Sequence, residues 1–142
     1  MTVEWNISMS TGVAEIDEQH KRIVSKMNEL IAAVREGRGV EECEEILLFL
    51  KSYIPDHFAR EKAIMKRLKY PYIEDHIDEH NAFLEDFVML ASEYKRDGGS
   101  VRLARKLQRM LLDWFTSHIS STDKRLGDHI REKLASKKRG KI

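Results

Sequence analysis

Five of the six histidines in this 142-residue chain sit on apolar stripes of helical period, where a solvated side chain has no place. His20 falls four residues after Ile16 and three before Ile23, and His57 follows Tyr53 and Ile54 by four and three, with Glu61 four further on. His76 and His80 are four apart and bracket Ile77, and His118 comes four after Trp114 and three after Phe115. Residues three and four apart share a helix face, so five imidazoles and one carboxylate point where their apolar neighbours point. A lone histidine there is readily absorbed as a hydrogen-bonded core residue. Burying the whole set without partners would cost about 1–3 kcal/mol for each group, and a metal centre satisfies them together. Imidazoles and carboxylates without thiolate suit iron, manganese, zinc or copper. One ion has too few positions for so many donors, so two are expected.

Four amphipathic segments must carry these residues. Segment A holds Ile16, Ile23, Val24, Met27, Leu30, Ile31 and Val34 and stops at Gly37-Arg38-Gly39. Segment B, with Glu41, Glu42 and Glu44 in an opening turn that suits acids, runs through Leu50, Ile54 and Met65 to Tyr70-Pro71. Within B, Pro55 removes a backbone donor and predicts a kink. Segment C runs from Ile73 through Phe83 and Phe87 to Asp97-Gly98-Gly99, and D follows a Ser100 cap with Ala104, Leu107, Leu111 and Trp114. A short helix over roughly Thr122 to Ala135 closes the chain. Short connections between long helices make antiparallel neighbours. The fold class expected is all-α, an up-down-up-down four-helix bundle. As a single domain over 1–142 it comprises an N-terminal arm (1–16), the bundle (17–121), and a short C-terminal helix with a basic tail (122–142).

That topology tests the metal reading independently. His20 lies near the start of A, Glu61 late in B, His80 early in C and His118 late in D, all at one end of such a bundle. With a rise of about 1.5 Å per residue, Glu61 and His80 both sit about 10 Å in from that end and can share a layer. Asp123 is the natural second carboxylate, five residues past His118. Five overshoot one α-turn, so a loosened, π-like turn is expected between the two.

Taken in order, His20 within Ile16-Asp17-Glu18-Gln19-His20-Lys21, His57-Phe58-x-x-Glu61, His76-x-x-x-His80 and His118-Ile119-x-x-x-Asp123, with Trp5 ahead of them and Trp114 before the last histidine, resemble the hemerythrins, in particular the bacterial single-domain branch. The resemblance covers Trp5 to about Asp128. It implies a four-helix bundle with a non-haem diiron centre that binds dioxygen reversibly. It further implies that His76, His80 and His118 hold one iron, His20 and His57 the other, and Glu61 and Asp123 bridge both. The open position would then lie on the iron held by His20 and His57. Ferritin-like oxidases place acids three residues before their histidines. Here those positions are Ile54, Ile73, Ile77 and Phe115, and only His20 has one, Asp17. Two carboxylates favour reversible binding over oxygen activation, so the chain is read as an oxygen carrier, store or delivery protein and not as an enzyme. A diiron oxidase or peroxidase, or an oxygen or redox sensor, is the alternative. Ile23, Phe58, Trp114, Phe115 and Ile119 flank the ligands at helical spacing, either as a dry oxygen pocket or as ordinary core.

Three positions depart from the family's pattern or lie outside it. Lys62 stands where many bacterial relatives have a second acid, Leu126 stands near the tyrosine of animal hemerythrins, and His129 matches no ligand position and is expected at the surface. The charge balance, 25 Lys+Arg against 24 Asp+Glu, gives no footprint for nucleic acid. No apolar run exceeds five residues, so neither a signal peptide nor a membrane span is expected. The single Cys43 fits a reducing, cytoplasmic setting and excludes thiolate clusters. A monomer that docks transiently on an oxygen-consuming enzyme is the expected form, with the basic run Lys137 to Lys141 a solvated terminus.

Overall fold

Helix α1 (Ala14–Arg35) opens with Glu15 and Asp17 at its positive end and buries Ile16, Ile23, Val24, Met27, Leu30 and Ile31 on one stripe. The computed structural model that shows this describes the backbone of residues 3–139 and the side chains through Ser136. The chain reverses at Gly37, whose φ of 79° is open to glycine without strain. Helix α2 (Gly39–Arg67) continues through Pro55 as one element and buries Ile46, Leu50, Ile54 and Met65 together with His57 and Glu61. It stops three residues short of Tyr70, at a turn where Lys69 takes a φ of 53°. Helix α3 (Ile73–Asp97) ends at Gly98 with φ 77°. Helix α4 (Val101–Trp114) begins at Ser100, whose hydroxyl accepts from the Leu103 amide at 3.0 Å, the expected cap.

The fourth rod carries the expected π turn between His118 and Asp123 and differs from expectation only in its continuity. A π-helical segment, Phe115–Thr122, leads straight into α5 (Asp123–Arg139), so the closing helix is an extension of α4 through a widened stretch and runs to Arg139. The side chains of the basic run from Lys137 onward lie outside the described residues.

Helix α1 packs on α2 and α4, and α3 packs on the other side of the same two, which gives the all-helical bundle. Its main core includes Met27, Leu30, Ile46, Leu50, Phe87, Leu107 and Leu111. Full burial of each such side chain is worth about 1.5–3 kcal/mol, and this half of the bundle carries the fold. At the histidine end a smaller cluster of Met65, Tyr70, Leu126 and Ile130 holds α5 to the α2–α3 turn. The core between these clusters is polar.

Candidate metal centre

All seven candidate ligand residues from the sequence meet in that polar layer. His20 comes from α1, His57 and Glu61 from α2, His76 and His80 from α3, His118 from the π segment and Asp123 from the start of α5, each no more than 3 % exposed. The π turn is what aligns the last two. The amide of Asp123 donates to the carbonyl of His118, five residues back, which brings both side chains to the same face.

Among the described residues the donor atoms fall into two overlapping groups. Glu61, His76, His80, His118 and Asp123 form one, and His20, His57, Glu61 and Asp123 the other. His76 Nε2 lies 3.0 Å from Glu61 Oε1 and 3.0 Å from Asp123 Oδ1, while His20 Nε2 lies 3.2 Å from Glu61 Oε2 and 3.0 Å from Asp123 Oδ2. The two carboxylates therefore face both groups, one oxygen to each. His80 and His118 bring their Nε2 atoms within 3.1 Å, as do His20 and His57.

Glu61 is within hydrogen-bond reach of His20, His76 and His80, but hydrogen bonds do not account for the whole cluster. His57 Nδ1 donates to Gln19 Oε1 at 2.6 Å and His118 Nδ1 donates to Glu79 Oε1 at 3.2 Å. A ring that donates outward through Nδ1 presents a lone pair inward at Nε2 unless that nitrogen also carries a proton. His57 Nε2 nevertheless stands 3.2 Å from Glu61 Oε2 and His118 Nε2 3.1 Å from Asp123 Oδ1. Lone pair against carboxylate is repulsive unless a proton or a cation lies between. Both oxygens of Asp123 are buried without a satisfied hydrogen bond although three imidazole nitrogens stand near 3 Å. Donors about 2.1 Å from one cation and at right angles are about 3 Å apart, which is the spacing found throughout. The residues fit a pair of metal ions.

Without cations the same cluster holds protons. Burial pulls the His20 imidazole down, but Asp123 and Glu61 outweigh it and carry His20 up to about 10. His76 rises to about 9 against the same burial, and His118 rises through Asp123 and Glu79. His80, which lacks that balance, is pushed down by burial. Burial also opposes the charges of Glu61 and Asp123, yet the surrounding imidazoles hold both well below the ordinary carboxylate range.

Residues 11–130 match the family model described as "Hemerythrin HHE cation binding domain". The chain belongs to the hemerythrin family. Curated hemerythrin relatives agree. It is 30 % identical to a bacteriohemerythrin of Pseudomonas paraeruginosa over 92 % of this chain and 83 % of the relative. It is 28 % identical to one of Stenotrophomonas maltophilia over 92 % and 82 %, and 23 % identical to one of Aquifex aeolicus over 90 % and the full relative.

Around this hemerythrin's centre one expectation is corrected, that for His129. Lys62 is exposed on α2 and takes no part; the acid behind the ligands is Glu79, one residue before His80, which also accepts from the Thr122 hydroxyl at 2.8 Å. His129 is less exposed than expected. It is half-buried, its Nε2 is enclosed without a partner, and its ring centroid lies 5.1 Å from that of Tyr70. Leu126 is buried as an apolar filler, and the phenol near the site is Tyr70, whose ring centroid is 6.4 Å from that of His76. Gln19 and Glu79 were missed because a polar residue beside a candidate ligand reads like any solvated helix position, and Tyr70 because it lies in the turn after α2. The one signal for the first two was adjacency to His20 and His80.

The five flanking apolar residues all lie in the main core. Phe58 stacks on His80 with centroids 3.8 Å apart and planes within 3°, and Trp114 stacks on His118 at 3.8 Å and 14°. Trp5, from the arm, stands 6.1 Å from His20.

Proposed function

We propose that this hemerythrin binds dioxygen reversibly at a pair of iron ions, as a carrier, store or local supplier of the gas. His76, His80 and His118 would hold one ion, His20 and His57 the other, and Glu61 and Asp123 both. Two ferrous ions so held would supply a pair of electrons to a diatomic ligand. The observation that carries the reading is the inequality of the two donor groups, five protein donors against four. It leaves room for an outside ligand on the side of His20 and His57.

The chain's own residues then favour release over reaction. Glu79 and Gln19 fix the rings of His118 and His57 through Nδ1 and orient Nε2 inward. Ile23, Phe58, Trp114, Phe115 and Ile119 exclude water and deny the bound gas a proton. Glu61 and Asp123 are the two carboxylates among the seven donors, and so low an anionic charge gives little support to high-valent iron. The chain is on this reading not an enzyme. No described helix is long and apolar enough to cross a membrane; a cytoplasmic monomer serving an oxygen-consuming enzyme by transient docking is the form this reading assigns.

Gas cycling tests it. The reduced, iron-loaded protein should gain a visible charge-transfer band in air and lose it under argon over repeated cycles. Irreversible bleaching, or steady consumption of peroxide, would favour an oxidase or peroxidase instead.

A further inference from the structure

Gly127 occupies a helix interior, where glycine is about 1 kcal/mol worse than alanine. The reason lies across from it. A Cβ at position 127 would come within 2.5 Å of Thr11 Cα and 2.9 Å of Thr11 O, a distance no real Cβ tolerates against backbone. The N-terminal arm is thus seated directly on the backbone of α5. Arg131, one turn further along α5, reinforces the seat by donating from Nη1 to Ser10 O at 3.2 Å.

The same few arm residues are tied to α1. Asp17 Oδ1 accepts from the Thr11 amide at 2.8 Å and the Thr11 hydroxyl at 2.9 Å, and its Oδ2 accepts from the Ser10 hydroxyl at 2.6 Å. Thr11 is fully buried between the two helices. Asp17 lies three residues before His20, and Gly127 four residues after Asp123. The arm therefore joins α1 and α5 one turn away from the two donors these helices contribute, His20 and Asp123, whose Nε2 and Oδ2 are 3.0 Å apart.

We infer that Thr11, Asp17 and Gly127 form a clasp whose role is to position His20 against Asp123, so that the arm governs the ion on the His20 and His57 side selectively. Helix α1 contributes a donor to that group alone; the group of His76, His80 and His118 draws on α2, α3, the π segment and α5. Loosening α1 from α5 separates the donors of one ion and spares those of the other. This rests on the two-ion reading above.

Gly127→Ala tests it, because alanine suits the helix yet must lift Thr11 off its seat. The probe is cobalt(II) titrated into the metal-free chain and followed by its visible d–d absorption and by bound metal per chain. The wild type should take up two equivalents. Gly127→Ala should take up one with unchanged affinity and the second at least tenfold more weakly. Thr11→Val, which removes the hydroxyl's bonds to Asp17 Oδ1 and to the Val13 backbone at the start of α1, should weaken the second ion in the same sense, and Thr11→Ser should restore it. In the metal-free state, Gly127→Ala should also expose the arm to proteolysis ahead of the bundle. Two equivalents of wild-type affinity in Gly127→Ala and Thr11→Val, or equal weakening of both ions, would overturn the clasp alone. Fewer than two in the wild type would overturn the two-ion reading and the clasp with it.

Discussion

The amide of Asp123 donates to the carbonyl of His118 across five residues, and this one bond sets the last two donors of the centre in register. An α-turn closes over four. The eight-residue π stretch from Phe115 to Thr122 is the local irregularity that lets a histidine and a carboxylate five apart look into the same cavity. Irregular helix at a site of chemistry is a common signature of function.

Removing a shared carboxylate should damage more than one ion. Glu61 faces four imidazoles and Asp123 three. Glu61→Ala or Asp123→Ala should leave less than one ion per chain. In the metal-free state each should lower stability by about 3–5 kcal/mol, the scale for stripping a buried charge of its partner. Metal analysis and chemical denaturation measure the two effects.

Glu79→Ala should weaken metal binding about 10–100-fold, the usual effect of losing the partner that orients a ligand histidine. The loss should fall on the ion of the three-histidine group, since Glu79 touches His118. Gln19→Ala should act on the other ion through His57. Stepwise titration resolves which of the two steps moves in each variant.

The metal-free chain should be most stable in mildly acid solution. His20 and His76 rise from 6.5 to about 10 and about 9, so their contribution is complete below pH 6.5 and is lost as pH climbs through 9 to 10. Glu61 and Asp123 are depressed from 4.5 and 3.8, so theirs is complete above about 4.5 and lost on acidification. His80 moves down and opposes folding when protonated below 6.5, which places the maximum near the upper end of the window between 4.5 and 6.5. Denaturation from pH 4 to 10 should show it. Because ligand imidazoles must be neutral, loading metal at pH 7 should release about two to three protons per chain, from His20, His76 and in part His118, measurable as acidification of a weakly buffered solution.

Phe58→Ala should hasten irreversible oxidation of the iron-loaded protein by opening the face of His80 on which the ring is stacked. The cavity should also lower stability by about 3–5 kcal/mol. The decay of the visible band under air, compared with wild type at equal fractional folding, separates the two consequences.

The bundle and the seven donors were legible in the sequence for one reason. Period-3.6 spacing ties a histidine's direction to that of its apolar neighbours, so His20 beside Ile16 and Ile23 could only point inward. The five-residue gap to Asp123 likewise carried its own backbone requirement. What surrounds the donors was not legible, because it depends on contacts between elements. Glu79 reaches His118 from another helix, Tyr70 enters from a turn, and Gly127 matters only because Thr11, 116 positions earlier, lies against it. His129 was misplaced for the same reason, since the ring that covers it belongs to Tyr70.

On the proposed function, Glu61 and Asp123 hold two ions in common. Iron per chain, measured after anaerobic loading with ferrous iron and removal of loosely held metal, tests it most directly. Two irons per chain, falling below one in Asp123→Ala, is the predicted result. One iron or none in the wild type, or two retained without Asp123, would contradict it.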